Sequence, residues 1–194
     1  MKVLPVFLSV AALMAGAKVR DARMSGLALA ACLACAAALA QEKPRLATTQ
    51  VEIAGEVKRK LGLTVEDLRA LAARKGGAVA AKSLPGDRPP RYQGYVGVRI
   101  ADVLDEAGIE KEERHALRRT YVVATASDGY KAVFSWGELF NTPIGQGVLV
   151  VYERDGAALD EGEGRIALVS LADDRVGPRH VKWLQRIEVK RVPE

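Results

Sequence analysis

The second half of the chain alternates apolar runs with Asp-Gly turns, and this punctuation limits the possible folds more than any other feature. The run TYVVATA (residues 120–126) meets Ser127-Asp128-Gly129 and is followed by YKAVFS, while GVLVVYE (residues 147–153) meets Arg154-Asp155-Gly156. RIALVSL and HVKWLQRIEVKRV complete the series. Asp-Gly accommodates the positive φ angles of tight hairpin turns, so the β-branched and aromatic runs on either side read as strands.

The first half carries helical periods instead. Thr64 and Asp67 form a capping-box-like pair, and Val65, Leu68, Leu71 and Ala72 recur at helical spacing until Gly76 and Gly77 end the run. Ile100, Val103, Leu104 and Ala107 share one helical face, so residues 99–107 read as a second helix closed by Gly108. Residues 110–117 add a charged, exposed turn of helix. Val51 to Ala54 alternate as a half-buried strand, residues 79–81 suggest a short one, and residues 82–93 gather three prolines into a loop. Two early helices and a strand-rich second half predict an α+β fold, mostly β with short helices. Roughly 140 to 150 residues suffice for one core without disulfides.

Residues 1–40 differ from the rest. Their only charges are Lys2, Lys18, Arg20, Asp21 and Arg23, and Ala, Leu, Val and Met dominate between them. A basic segment at residues 18–23, an apolar run at residues 24–37 and Ala38-Leu39-Ala40 read as a signal peptide, with Met24 as an alternative start and cleavage before Gln41. Residues 41–49 form a polar lead-in and residues 50–192 the domain. The apolar run is shorter than the roughly 20 residues that span a bilayer, so a mature form without a membrane span is expected, in the periplasm or secreted. Leu29-Ala30-Ala31-Cys32 also fits a lipoprotein box, but the apolar stretch before Cys32 is short and favours cleavage after Ala40. Cys32 and Cys35 lie inside the export run, so cleavage leaves no cysteine. It also removes four of the 29 basic and one of the 24 acidic residues, leaving 25 and 23, a balance that gives no reason to expect nucleic acid.

Four segments in order resemble one family. Gly177-Pro178-Arg179-His180-Val181-Lys182-Trp183-Leu184 looks like the G-A-R-H-V-K-W-L segment of the sulfite oxidases. Tyr95-Val96-Gly97-Val98-Arg99-Ile100-Ala101-Asp102-Val103-Leu104 is similar to that family's W-x-G-x-x-L-x-D-V-L helix start. TVEDLRAL (residues 64–71) matches the helix before the cofactor loop, and Ser127-Asp128-Gly129-Tyr130 resembles the S-D-G-Y hairpin of small single-domain members.

The resemblance implies the sulfite-oxidase-like molybdopterin-binding fold over about residues 50–192. In that family a pterin dithiolene holds molybdenum, a protein cysteine adds a soft thiolate ligand, and the metal transfers an oxygen atom. The cysteine belongs between the first helix and the Y-x-G element, where residues 76–93 contain none. The family's strand arginine after its G-x-P turn falls here on Ala167 or Leu168, and Arg165 lies two or three residues away, roughly 7 to 10 Å along a strand. The segment that binds the pterin phosphate is present, so the resemblance places Arg179, His180, Val181 and Lys182, with Asp128 of the hairpin, at a cofactor or anion. His180 and Lys182 are two apart on an extended chain and face the same way, which suits charge-assisted binding of a phosphate or sulfate.

The competing structural readings are plain. His180 serves as a strand-edge residue packed near Trp183, Asp128-Gly129 as an ordinary turn, Trp136 and Trp183 as core, His115 as solvated surface, and Arg88, Arg91 and Tyr92 as an exposed loop. No HExxH, P-loop or Ser-His-Asp pattern points elsewhere. No catalytic residue and no metal ligand are assigned. Two functions follow from the resemblance. One is a degenerate, exported member that binds a small anionic ligand, a pterin or a protein partner near His180 and Lys182. The other is an active molybdopterin oxidoreductase, with the metal held by the dithiolene alone, passing electrons to a periplasmic redox protein.

Overall fold

A computed structural model of the chain describes residues 48–81, 93–109, 115–175 and 177–193, all within the unit Pro44–Glu194. Residues 1–47, which include the expected signal peptide and most of the lead-in, the loop residues 82–92 with Arg88, Arg91 and Tyr92, and residues 110–114 lie outside the described residues.

Strand β1 (Gln50–Gly55) buries Val51 and Ile53 completely and leaves Gln50 and Glu52 outward, as its alternation predicts. It pairs antiparallel with β2 (Leu61–Thr64) on one side. On its other side it runs parallel to β10 (Leu184–Arg191), setting Ile53 beside Ile187. β10 pairs antiparallel with β5 (Thr120–Ala126), and β5 with β6 (Lys131–Ser135), which closes the first sheet in the order β2-β1-β10-β5-β6. The second sheet contains β3 (Val79–Ala80), β4 (Tyr95–Arg99), β7 (Val148–Arg154) and β8 (Ala157–Ala158) in that order, with β9 (Ala167–Ser170) also on β7. Both hairpin turns stand where Asp-Gly placed them: β5 returns as β6 through residues 127–130, and β7 as β8 through Asp155 and Gly156.

Helix α1 (Val65–Arg74) begins at Thr64. Its hydroxyl accepts from the Asp67 N–H at 3.3 Å while the Thr64 N–H donates to the Asp67 carboxylate at 2.9 Å, a complete capping box. Helix α2 (Ile100–Ala107) buries Ile100, Val103, Leu104 and Ala107, the face expected from its spacing. The residues before it are not helical: Tyr95 to Arg99 are β4, laddered against β7. Gly97 sits where a Cβ would come within 2.2 Å of the Val150 carbonyl oxygen, so only glycine allows the two strands to approach at that point.

Three short helices follow: α3 (Ala116–Arg119), α4 (Trp136–Asn141) and a 3₁₀ turn (Pro143–Gly147). Ser135 and Glu138 form a second capping box at the start of α4.

The main core gathers Ile53, Ile187 and Phe134 from the first sheet, Val150 and Leu168 from the second, and the inner faces of α1 and α2. A smaller cluster of Ala81, Tyr95, Leu149, Val151, Leu159, Ala167 and Val169 covers the other face of the second sheet. β7 is therefore buried on both faces, which explains its unbroken apolar run.

Candidate functional site

The segment HVKWLQRIEVKRV reads as one strand, but β10 begins only at Leu184. Ahead of it Val181 makes a two-bond bridge with Leu168, each N–H donating to the other's carbonyl at 2.8 Å. Trp183 then takes a positive φ of 47°, which turns the chain before β10 starts. His180 and Lys182 thus sit on an irregular approach to the strand, and both side chains reach the same group.

That group is Glu163, a residue the sequence did not single out. Oε2 of its carboxylate lies 2.8 Å from Nε2 of His180, and Oε1 lies 2.9 Å from Nζ of Lys182. Glu163 is only 8% exposed and belongs to the loop between β8 and β9. Its N–H donates to the Asp160 carboxylate at 2.9 Å, and its carbonyl accepts the Trp183 N–H at 2.8 Å. The Trp183 indole N–H donates to the Glu161 carbonyl at 2.8 Å, and the Trp183 carbonyl accepts the Ser127 N–H at 3.0 Å. The strained tryptophan therefore clasps the loop that presents Glu163.

Burial alone would raise the Glu163 pKa. The hydrogen bonds and charges of His180 and Lys182 outweigh it and hold the carboxyl at about 2. Tyr95, on β4, lies against both His180 and Glu163. Burial first, and then the Glu163 charge and hydrogen bond, push its hydroxyl up to about 12. Its ring meets the His180 ring edge to face at 6.2 Å, and the Arg154 guanidinium lies 4.9 Å from its centroid.

Beside this network lies an open hollow of about 210 Å³, lined by Asp128, Tyr130, Gly177, His180, Lys182 and Trp183. The Lys182 side chain is 43% exposed there, so its ammonium keeps donor capacity after serving Glu163. The Tyr130 hydroxyl donates to the Pro178 carbonyl at 2.7 Å, and the Tyr130 N–H to Asp128 Oδ1 at 2.9 Å, which fixes this rim.

Of the five residues proposed from sequence, the structure brings Asp128, His180 and Lys182 together. Val181 is fully buried and serves the bridge to Leu168. Arg179 turns away. Its Nε donates to Asp173 at 2.8 Å and one Nη to Glu138 at 2.9 Å, while its other Nη bonds Asp173 closely. The guanidinium lies 4.8 Å from the Phe134 ring centroid. Arg179 is thus a strut between the loop before His180 and the start of α4. Burial would raise both carboxyls, but it is outweighed for Asp173 by the bonds from Arg179 and Ser170 and for Glu138 by the Ser135 N–H and then Arg179, so both sit below their usual range.

Trp183 and Tyr130 line the hollow, although Trp183 reads as core from sequence. Glu163 gave only a faint signal, an acidic residue between Gly162 and Gly164 ahead of an apolar strand. Ala167 and Leu168, at the family's arginine position, are fully buried. Arg165 is exposed and faces a different groove with Glu66, Arg69 and Tyr152.

The family model for the oxidoreductase molybdopterin binding domain matches residues 92–194, more than half of the chain, and the chain belongs to that family. Among solved structures the chain is similar to the sulfane dehydrogenase SoxCD from Paracoccus pantotrophus, at 21% identity and a TM-score of 0.48. That match covers 74% of this chain and 39% of the other, so the chain spans about two-fifths of that protein's length. Comparison with the curated proteins gave no match.

The residues present do not fit the cofactor arrangement that the sequence resemblance implies. No cysteine follows Cys35, and among the described residues no group of three His, Cys, Asp or Glu side chains converges on a point where a metal would be held. The two donors expected to grip a phosphate are bonded to a carboxylate of the protein itself.

Proposed function

We propose that this chain is an exported, non-catalytic member of its family, a binding domain whose hollow beside His180 and Lys182 takes a small ligand of pterin or anionic kind, or the matching group of a protein partner. The observation that carries this reading is the half-exposed Lys182 ammonium. It stands in the open hollow with Asp128, Tyr130 and Trp183, and among the described residues no metal-ligating set accompanies it. Aromatic faces with a few fixed polar groups suit a flat, polar molecule. The apolar N-terminal run supports export to the periplasm or beyond. Among the described residues no helix is long and apolar enough to cross a membrane.

Protein purified from its native host tests the reading. Elemental analysis should find no stoichiometric molybdenum, and native mass spectrometry should show a small molecule that Lys182→Ala loses. Stoichiometric molybdenum would overturn the reading in favour of an oxidoreductase that passes electrons to a periplasmic partner.

A further inference from the structure

We propose that Glu163 is the specificity-determining residue of this hollow: its carboxylate stands between His180 and Lys182 where a phosphate or sulfate would otherwise bind, so the native pocket rejects tetrahedral dianions and selects a ligand that lacks them. The proposal rests on the reading of the hollow as a binding site and narrows the class of molecule it takes.

The geometry supports it at three points. First, the two carboxylate oxygens are divided between the two donors, Oε2 with His180 at 2.8 Å and Oε1 with Lys182 at 2.9 Å, as a bound oxyanion would divide them. Second, the backbone that presents the Glu163 carboxylate is held in place. Its N–H is held by Asp160, its carbonyl by Trp183, and the following Gly164 packs so tightly that a Cβ there would lie 2.7 Å from the Trp183 ring. Third, Asp128 adds another carboxylate to the wall. A dianion entering the hollow would meet the negative charge of Glu163 and Asp128 at short range, and like charges held close together repel. What remains accessible is the outer side of the Lys182 ammonium, the Asp128 carboxylate and the Trp183 and Tyr130 rings. These suit a neutral or singly charged ring compound carrying both donors and acceptors.

Titration with inorganic phosphate and with sulfate at neutral pH, followed by amide and imidazole NMR shifts, tests this on four proteins: wild type, Glu163→Gln, Glu163→Ala, and Glu163→Gln combined with Lys182→Ala. Wild type should show no saturable shift at His180. At least one single variant should bind phosphate roughly ten-fold or more tightly than wild type, and the double variant should lose that gain. Wild type binding phosphate as tightly as both single variants would overturn the proposal, as would folded single variants that gain nothing. Where Glu163→Gln does not fold, Glu163→Ala supplies the reading. Where neither folds, saturable phosphate binding at His180 of wild type overturns the proposal and its absence supports it. A phosphate gain with no native small molecule lost from Lys182→Ala would keep Glu163 as the excluding group and remove the ligand-binding function. A lost native molecule without any phosphate gain would do the opposite.

Discussion

Glu163 stays ionised in a nearly dry position only because His180 and Lys182 each donate to it, and this makes the fold sensitive to acid. Its carboxyl falls from an ordinary value of 4.5 to about 2 in the folded chain. A group with a depressed folded pKa contributes its stabilisation above the unfolded value and loses it as pH falls through the folded one, so the loss runs from about pH 4.5 down to about pH 2. The amount is on the order of 3 kcal/mol. Urea unfolding of wild type at pH 6 and pH 2.5 should show this loss, while Glu163→Gln should start less stable and change less over the same interval. Parallel losses in the two proteins would mean that another carboxylate controls the acid response. Arg179 shows the opposite outcome for a residue singled out with the same motif. Its planar guanidinium is committed to Asp173 and Glu138, which ties a loop down and turns the group away from the hollow.

At the scale of elements, the site depends on two irregular segments locked together, the loop of residues 159–164 and the turn at Trp183. Gly164 has a φ of +79°, and a Cβ there would lie 2.8 Å from the Trp183 Cα and 2.7 Å from its ring. Gly164→Ala therefore meets both a strained backbone and a clash, and is expected to cost at least about 2 kcal/mol. Thermal unfolding with near-UV circular dichroism of the tryptophans should report a lowered Tm together with a changed Trp183 signal. An unchanged signal would show that the clasp is not what fixes Glu163. The β5–β6 hairpin contributes Asp128 and Tyr130 to the same hollow, so a turn that serves the sheet also forms one rim of the site.

At the scale of the molecule, the parallel pairing of β1 with β10 joins the start of the domain to its end, and the residues just ahead of β10 carry His180 and Lys182. The proposed export belongs to this scale too. Intact mass of protein recovered from a periplasmic extract should correspond to a chain beginning at Gln41. A mass including the first forty residues would contradict cleavage, and one beginning at an acylated Cys32 would establish a lipid anchor.

What the sequence determined by itself was local. The Thr64–Asp67 cap, the apolar face of α2 and the Asp-Gly hairpins depend on neighbours a few residues apart, and their spacing is legible without a fold. β4 was not read as a strand, only as the lead-in to a helix over residues 99–107, because its strand identity comes from its pairing with the distant β7 and from the contact that Gly97 permits. The common orientation of His180 and Lys182 was read correctly, but from a strand that in fact begins later, at Leu184. Only the tertiary structure decided that an acidic residue from a distant loop meets them. Electrostatic pairing inside a fold depends on distance in space and on exclusion of water, and neither quantity is written in the order of the residues.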